Sequence, residues 1–431
     1  MTWLSPADPG VTGAALTDPG ATRPAPADPS ASWPASAGPP SAGPPSAGPP
    51  PGGSGLPVIP YGESTLAELM PSVLAGLGVP GERNPLALPA AEKVCVLLVD
   101  GLGFEQLIQV AAGPAAAMIP ELVALLPGAR VLSTGCPATT ATSLGSIGTG
   151  LPPGRHGLLG YQVAVPGAGW LLNQLRWDPR IDPVSWQPET SCFERAATAG
   201  IPVAHVSAPV FEGSGLTVAA FRGARYVGAD TGEERARATL AALAGRGRRL
   251  VYTYASQLDT AGHVSGVFSA GWLAALAEID QFVGILRAGL PGGTALYVTA
   301  DHGLVEVPPA ARIDADARIE LRAGVSLLGG EARARHVYTA PGAADDVLAT
   351  WREVLGAAFW VLSRAEAIEA GLFGAQVSAP MRARIGEVVA LASGSGAVVA
   401  PEAEPVESSL RGMHGSVTDQ ERRVPLLSHL T

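Results

Sequence analysis

Three aspartates and two histidines of this sequence stand where apolar, strand-like runs end. They are Asp100 after the run 94–99, Asp259 and His263 after the run 250–254, and Asp301 and His302 after the run 294–299. In doubly wound α/β proteins, functional side chains collect at the carboxyl ends of parallel strands. A single strand-end aspartate often only caps the next helix, but three such positions together favour a shared site.

The spacing of these residues suits the binding of metal ions. Asp259 and His263 are four residues apart, so in a helical turn their side chains share one face and can hold one ion. Asp301 and His302 are adjacent and would point to opposite sides of an ideal strand, but Gly303 lets the backbone turn there. Carboxylate and imidazole ligands suit zinc, with manganese and iron as alternatives.

A cluster of hydroxyl side chains precedes a short apolar segment with helical character. The cluster consists of Thr139, Thr140, Thr142 and Ser143, ahead of residues 144–150. At a helix N-terminus, the backbone N–H groups and the helix dipole favour an alkoxide and an incoming phosphate. The alternative is an ordinary N-cap threonine. The cluster therefore offers a candidate nucleophile, but its composition alone does not select one hydroxyl.

The elements that must position these residues alternate between strand-like and helical segments. Unbroken apolar runs, typical of strands buried on both faces, occur at 94–99, 201–206, 250–254 and 294–299. Helical stretches lie between them, at 233–244 and 272–290. This order predicts an α/β fold with a largely parallel central sheet flanked by helices. The less regular segment from about 310 to 396 is interpreted as an insertion or a smaller irregular subdomain.

The first 55 residues differ from the rest of the chain in composition. They are rich in Pro, Ala, Gly and Ser, and they contain three copies of SAGPP between Ser36 and Pro50. Such a segment buries too little apolar surface to offset the entropy of ordering. Residues 1–55 are therefore predicted to be disordered, and residues 56–431 to form the globular domain.

Composition and charge argue against some classes of partner. Acidic residues outnumber basic residues by 38 to 28, so no basic excess is present to bind a nucleic-acid polymer. A small anionic substrate can still bind if bound cations dominate the local field. The most apolar long stretch, 111–132, is interrupted by prolines and a glutamate, which argues against a membrane span. Three scattered cysteines and the lack of a signal-peptide pattern predict a reducing, cytoplasmic setting.

Six short motifs stand in an order and spacing that resemble the alkaline phosphatase superfamily, most closely its nucleotide pyrophosphatase/phosphodiesterase branch. They are Asp100-Gly101, Pro137-x-x-Thr140 with Thr149-Gly150, Pro153-x-x-His156-Gly157, Asp259-x-x-x-His263, Asp301-His302-Gly303 and His414-Gly415. Each motif is short, but all six in register between about residues 94 and 415 are specific together. The resemblance implies an alkaline phosphatase-like fold and a hydrolase of phosphoric ester or phosphoanhydride bonds.

The resemblance also implies a site with two divalent ions, usually zinc in this superfamily, and with Thr140 as nucleophile. The ligands would be Asp259, His263 and His414 for one ion, and Asp100, Thr140, Asp301 and His302 for the other. Thr140 would form a phospho-threonine intermediate during hydrolysis of phosphodiester or pyrophosphate bonds in nucleotides or related small phosphate esters. The alternatives are a phosphomonoesterase, a phosphonate or sulfate ester hydrolase of the same superfamily, and a non-catalytic binding protein.

Three features depart from the pattern of this branch. Few Lys or Arg residues stand near the motifs, and Ala141-Thr142-Ser143 follow the nucleophile where the branch has an asparagine. The third departure concerns another asparagine. The branch has an asparagine that binds a phosphoryl oxygen shortly after the His-Gly pair, and Tyr161 stands at the matching place. Asn173 and Arg176 are candidates to substitute for it. The motifs therefore specify the cations and the nucleophile more closely than the substrate.

Overall fold

Strands and helices alternate along residues 55–431, which a computed structural model describes. The predicted disorder of residues 1–55 falls, except for Gly55, outside the described residues. The strands are β1 (Lys93–Val99), β2 (Arg130–Ser133), β3 (Gln162–Ala164), β4 (Leu171–Asn173), β5 (Val203–Ser207), β6 (Arg225–Gly228), β7 (Arg249–Ala255), β8 (Thr294–Thr299), β9 (Val305–Glu306), β10 (Arg312–Asp314), β11 (Val325–Glu331), β12 (Ala334–Thr339), β13 (Phe359–Ser363), β14 (Val388–Ala392), β15 (Ala397–Val399), β16 (Gly412–Met413) and β17 (Arg423–Leu430).

The helices connect these strands and cover the sheets. The α-helices are α1 (Leu69–Gly76), α2 (Phe104–Ala111), α3 (Pro120–Leu125), α4 (Thr140–Thr149), α5 (Pro153–His156), α6 (Pro183–Trp186), α7 (Cys192–Thr198), α8 (Gly215–Phe221), α9 (Gly232–Leu243), α10 (Gln257–Ser265), α11 (Ala270–Gly289), α12 (Ile319–Arg322), α13 (Ala344–Leu355), α14 (Arg364–Glu369), α15 (Ala379–Arg382), α16 (Pro405–Ser409) and α17 (Asp419–Arg422). Short 3-10 helices are Leu66–Glu68, Pro114–Met118, Leu126–Gly128, Pro209–Phe211, Pro309–Ala311 and Gly356–Ala358. Within residues 55–431, none of the helices combines the length and the apolar character that crossing a membrane requires.

The largest sheet in the described part of the chain has seven strands in the order β2-β17-β8-β1-β7-β5-β6. β1 pairs in parallel with β7 and β8, and β5 pairs in parallel with β6 and β7. β17 runs antiparallel to β8 and β2. Every residue of β1 is buried, which explains why its sequence shows no alternation of apolar and polar residues. The predicted α/β fold with a largely parallel central sheet flanked by helices is confirmed.

The register of the three central strands places their carboxyl ends side by side. Val99 of β1 is level with Ala255 of β7, and Leu98 is level with Thr299 of β8. The segments that follow β1, β7 and β8 therefore leave the sheet at one edge. This edge carries the aspartates and histidines that the sequence singles out.

A second, four-stranded antiparallel sheet lies in the region 310–396, in the order β11-β12-β14-β13. It has its own apolar core, in which Trp351 of α13 packs with residues such as Val337 of β12. The region that we predicted as an insertion or irregular subdomain thus contains a regular sheet. Its boundaries as a subdomain remain a prediction.

A buried ion pair ties this second sheet to the chain segment after β16. Arg333, between β11 and β12, contacts Glu421 at 2.7 Å (Nε–Oε1) and 2.8 Å (Nη2–Oε2), and both side chains are fully buried. Oε1 of Glu421 also accepts a hydrogen bond from the backbone N–H of Ser416, at 2.9 Å. The β11–β12 hairpin is therefore fixed against the segment that carries His414.

Candidate active site

The seven residues predicted as nucleophile and metal ligands come together at the carboxyl ends of β1, β7 and β8. Asp100 follows β1, Asp259 and His263 lie in α10, Asp301 and His302 follow β8, Thr140 begins α4, and His414 follows β16. Two groups have ligand atoms within 4.8 Å of one another: Asp259, His263 and His414, and Asp100, Asp301 and His302. The structure therefore brings these residues together in the expected groups, while their roles as ligands remain predictions.

The three histidines of the site are oriented by backbone carbonyl groups. The contacts are His263 Nδ1 to Gly412 O at 2.7 Å, His302 Nδ1 to Gly303 O at 3.1 Å, and His414 Nδ1 to Ala138 O at 3.1 Å. A carbonyl oxygen can only accept, so each Nδ1 carries the hydrogen. In a neutral ring, the lone pair is then on Nε2, which is the tautomer that a metal ligand of this orientation needs.

Each of the three aspartates has one engaged carboxylate oxygen and one that is open. Asp301 Oδ1 accepts from Gly101 N at 3.2 Å and from His302 N at 3.0 Å, and Asp100 Oδ2 accepts from the Tyr254 hydroxyl. Asp259 Oδ2 lies 3.1 Å from His263 Nε2. Among residues 55–431, the buried oxygens without a hydrogen-bond partner include Asp100 Oδ1, Asp259 Oδ1 and Asp301 Oδ2. Buried carboxylate oxygens without donors are costly unless a cation balances them, so the donor set fits the implied divalent ions.

The electrostatics of the aspartates reflect their crowding. Burial, together with the charges of Asp301 and Asp259, raises the pKa of Asp100 well above its ordinary value. Burial likewise raises the pKa of Asp301. Burial also acts to raise the pKa of Asp259, but the adjacent His263 outweighs it and lowers that pKa below its ordinary value. A divalent cation would favour the ionised form of all three carboxylates.

Thr140 is the first residue of α4, and its hydroxyl faces the site. Thr140 Oγ1 lies 3.2 Å from His302 Nε2, and the side chain is buried. Thr139 occupies the N-cap position with an extended backbone, but its side chain forms no capping hydrogen bond within the described chain. The Ser143 hydroxyl donates to Asp301 O at 2.7 Å, which joins the first turn of α4 to the end of β8. The N-terminal N–H groups of this helix thus lie beside the candidate nucleophile.

Gly101 allows the turn after β1 to approach α10 closely. Its φ is +77°, and a Cβ atom there would lie 2.9 Å from Asp259 Cα. We expect Gly101→Ala to abolish most cation binding at the Asp259 group, because the added Cβ displaces Asp259. We also expect it to lower the free energy of unfolding by about 1–3 kcal/mol, because alanine is strained at this φ. Isothermal titration with Mn²⁺ and urea unfolding measure the two effects.

Gly81→Ala is the matched control for this substitution. Gly81 has a φ of +80°, and within the described residues no atom lies within 4 Å of the Cβ that alanine would add. It should show the backbone strain without loss of cation binding. Equal cation affinities in Gly101→Ala and the unmodified chain would contradict the close approach at Asp259.

Glu331 is a residue of the site that sequence reasoning missed. It ends β11, and its side chain is 11% exposed. Burial raises the pKa of Glu331 to about 8, and a hydrogen bond with the Thr139 side chain opposes this effect. Its Oε2 lies 3.7 Å from His414 Nδ1. Glu331 lies outside all six motifs, so nothing in its sequence context marks it.

The candidates for the missing asparagine are engaged in local contacts. The Tyr161 hydroxyl donates to Glu407 Oε1 at 2.8 Å, and Arg176 lies 3.9 Å from the same carboxylate. Asn173 Oδ1 accepts the backbone N–H groups of Leu175 and Arg176, both at 3.0 Å. Asn173 therefore caps a turn, and Tyr161 is held by Glu407.

His156, from the Pro-x-x-His-Gly motif, is buried and belongs to neither ligand group. Its Nδ1 accepts the backbone N–H of Leu158 at 3.1 Å, and its Nε2 lies 3.1 Å from the Ser146 hydroxyl in α4. Burial lowers the pKa of His156 to about 3. A neutral His156 thus joins α4 to the loop after α5.

Comparison with known proteins places this arrangement among phosphate-ester hydrolases. Residues 94–417 match the family model described as type I phosphodiesterase / nucleotide pyrophosphatase. A search of curated proteins gave no match.

Solved structures share the fold at low sequence identity. Murine ectonucleotide pyrophosphatase/phosphodiesterase 5, in an inactive threonine-to-alanine form in complex with AMP, has a TM-score of 0.61 and 17% identity, covering 78% of this chain and 88% of that chain. The human enzyme has a TM-score of 0.60 and 17% identity, with 78% and 87% covered. Phosphonoacetate hydrolase from Sinorhizobium meliloti 1021, in complex with phosphonoformate, has a TM-score of 0.59 and 18% identity, with 81% and 92% covered. These likenesses confirm the alkaline phosphatase-like fold.

Proposed function

The chain belongs to the type I phosphodiesterase/nucleotide pyrophosphatase family of hydrolases, and on that premise we propose that it hydrolyses phosphodiester or pyrophosphate bonds in nucleotides or related small phosphate esters. The proposal includes two divalent cations, with zinc as the first candidate, and a phospho-threonine intermediate on Thr140. Residues 56–431 would be the catalytic domain. The net charge of −10 supports a small substrate held by cations over a nucleic-acid polymer.

One observation carries the proposal: a helix-terminal hydroxyl lies next to two groups of open ligand atoms. Thr140 Oγ1 is 3.2 Å from His302 Nε2, and His302 belongs to the Asp100–Asp301 group. The ring of His302 stacks on that of His414, at 3.6 Å between centroids, which brings the second group alongside. A phosphoryl group attacked by Thr140 would therefore touch both groups.

The residues of the chain perform the reaction in two displacements. Thr140 gives its proton to solvent, and its oxygen forms a bond to phosphorus. The bond from phosphorus to the leaving oxygen breaks, and the leaving oxygen takes up a proton from solvent. Water then attacks the phospho-threonine, the bond to Thr140 breaks, and the Thr140 oxygen regains a proton. The first-turn N–H groups of α4 stabilise the negative charge that develops beside Thr140.

The ligand groups hold the cations in the proposed reaction. Asp259, His263 and His414 would bind one ion, and Asp100, Asp301 and His302, with the oxygen of Thr140, would bind the other. Divalent ions bound there would lower the pKa of the Thr140 hydroxyl and would neutralise charge on the phosphoryl and leaving oxygens. The carbonyl contacts of the histidines fix their Nε2 atoms for this task.

A substrate panel tests the proposed function. We expect the chain loaded with Zn²⁺ or Mn²⁺ to hydrolyse bis-p-nitrophenyl phosphate at least about tenfold faster than p-nitrophenyl phosphate, as kcat/KM, and to lose activity after chelation. A higher rate on the monoester would favour the phosphomonoesterase alternative. A chain that binds cations without turning over any ester would favour the non-catalytic alternative.

Phosphonate hydrolysis is the second candidate function, because the fold of a phosphonoacetate hydrolase covers 81% of this chain. Phosphonoacetate belongs in the same panel, with release of inorganic phosphate as the readout. Release from phosphonoacetate without hydrolysis of the diester would select this candidate.

We also propose that the protein works in the cytoplasm. Cys95, Cys136 and Cys192 are buried thiols, with no disulfide in the described part of the chain. Thiols that stay reduced are typical of a cytoplasmic setting. Cell fractionation with a marker enzyme tests this proposal.

A further inference from the structure

Glu331 lies beside His414 and Gly415 at the candidate active site. It ends β11 and packs on the segment that follows β16, where a Cβ atom on Gly415 would lie 2.6 Å from Glu331 Cγ. Gly415 has a φ of +129°, a conformation that L side chains rarely adopt. The glycine after His414 therefore makes room for the Glu331 side chain.

The Glu331 carboxylate is close to His414 and to the residue that precedes Thr140. Its Oε2 is 3.7 Å from His414 Nδ1, and the Thr139 side chain, directly before the nucleophile, hydrogen-bonds to the carboxylate. His414 Nδ1 itself donates to Ala138 O. Glu331 thus lies on the outer side of the His414 ring, away from Nε2.

Neighbouring arginines are engaged with other carboxylates. Arg335 is paired with Glu404 at 2.7 Å and 3.1 Å, and Arg333 is paired with Glu421. Glu331 Oε1 is one of the buried atoms within residues 55–431 without a hydrogen-bond partner. A buried carboxylate of this kind destabilises a fold unless a positive charge compensates it. Besides Arg335, whose charge acts on Glu331, a cation held by Asp259, His263 and His414 would supply such a charge.

We propose that Glu331 is a positioning residue that raises the affinity of the Asp259–His263–His414 group for its divalent cation. The inference rests on the proposed function, because it concerns the same site. A carboxylate behind a ligating histidine makes the ring a stronger ligand and adds favourable charge.

Cation titration of the full-length, chelator-treated chain tests this role. Glu331→Gln keeps the shape of the side chain and an oxygen that can accept from Thr139, but removes the charge. We expect it to weaken the binding of one of two Mn²⁺ ions by about 10–100-fold in calorimetry, with the other unchanged. Glu331→Asp, which restores the charge, should recover part of this affinity. Glu353→Gln, on the exposed face of α13, is the matched control and should bind as the unmodified chain does.

A double variant shows whether Glu331 acts through His414. Since the proposed effect passes through the ring, Glu331→Gln combined with His414→Ala should bind Mn²⁺ as His414→Ala alone does. Unchanged Mn²⁺ affinity in Glu331→Gln, with a lower melting temperature of the cation-free chain, would reduce Glu331 to a structural role and overturn the inference. If the unmodified chain binds no cation, the proposed function and this inference fail together.

Discussion

Thr140→Ala is expected to lower kcat on a diester substrate by at least about a thousandfold, because it removes the oxygen that attacks phosphorus. The loss should appear in kcat without a matching rise in KM, since the substrate still meets the cation-binding groups. Two cations per chain should remain, as the other six predicted ligands are unchanged. Steady-state kinetics and metal analysis of the purified variant measure both quantities.

Thr142→Ala is the control for the chemical change at Thr140. Thr142 lies two residues further along α4, is fully buried, and its hydroxyl has no hydrogen-bond partner in the described part of the chain. Its loss should therefore cost some stability but little activity. If Thr140→Ala retained near-full activity, the nucleophile assignment would be wrong and would move to Thr139 or Thr142.

A trapped intermediate separates nucleophilic from supporting roles of Thr140. In a rapid quench with labelled diester, the unmodified chain should carry covalent phosphate on the peptide that contains Thr140. Thr140→Ser should retain part of the activity, because it keeps a hydroxyl at the same place. A labelled peptide elsewhere in the chain would contradict the proposed intermediate.

The parts of the fold that were predictable from sequence depend on local patterns. The apolar run before Asp100 has no alternation, and the structure shows β1 buried along its whole length. Likewise, the four-residue spacing of Asp259 and His263 places them on one face of α10, with His263 Nε2 3.1 Å from Asp259 Oδ2. Such patterns involve only residues that are close in the sequence, so a single sequence is enough to predict the strand and the helix face.

Other parts of the fold depend on contacts between distant residues and were not predicted. The C-terminal strand β17 lies inside the central sheet between β2 and β8. Pro425 within it weakens the strand pattern, and the pairing with Val131 spans most of the chain. Glu331 reaches Thr139 and His414 only because the β11–β12 hairpin packs there. The carbonyl groups that accept from the three histidines belong to the backbone. Because every residue has a backbone carbonyl, the residue types do not indicate which ones act as acceptors.

Asp301→Asn is expected to remove one of the two cations, that of the Asp100–Asp301–His302 group. Asp301 Oδ1 accepts two backbone hydrogen bonds, from Gly101 and His302. The asparagine oxygen should keep these bonds, which turns its NH₂ group to the place of Oδ2, toward the cation. Replacing a ligand oxygen by an N–H donor should weaken Mn²⁺ binding there by more than about 100-fold. This loss exceeds the one expected when a residue that only supports a ligand is replaced. Titration calorimetry and metal analysis check this result.

The melting temperature of the cation-free chain distinguishes the loss of a metal ligand in Asp301→Asn from a general destabilisation of the fold. The charge of Asp301 adds to burial in raising the pKa of Asp100, so a neutral side chain at position 301 relieves repulsion on Asp100 when no cation is present. Cation-free Asp301→Asn should therefore melt no lower than the unmodified chain, although it no longer gains stability from added Mn²⁺ at that group. Asp345→Asn, at an exposed position in α13, should leave both properties unchanged. Two cations bound with unaltered affinity in Asp301→Asn would show that the ligand assignment is wrong, because the open Oδ2 would then have no part in holding an ion.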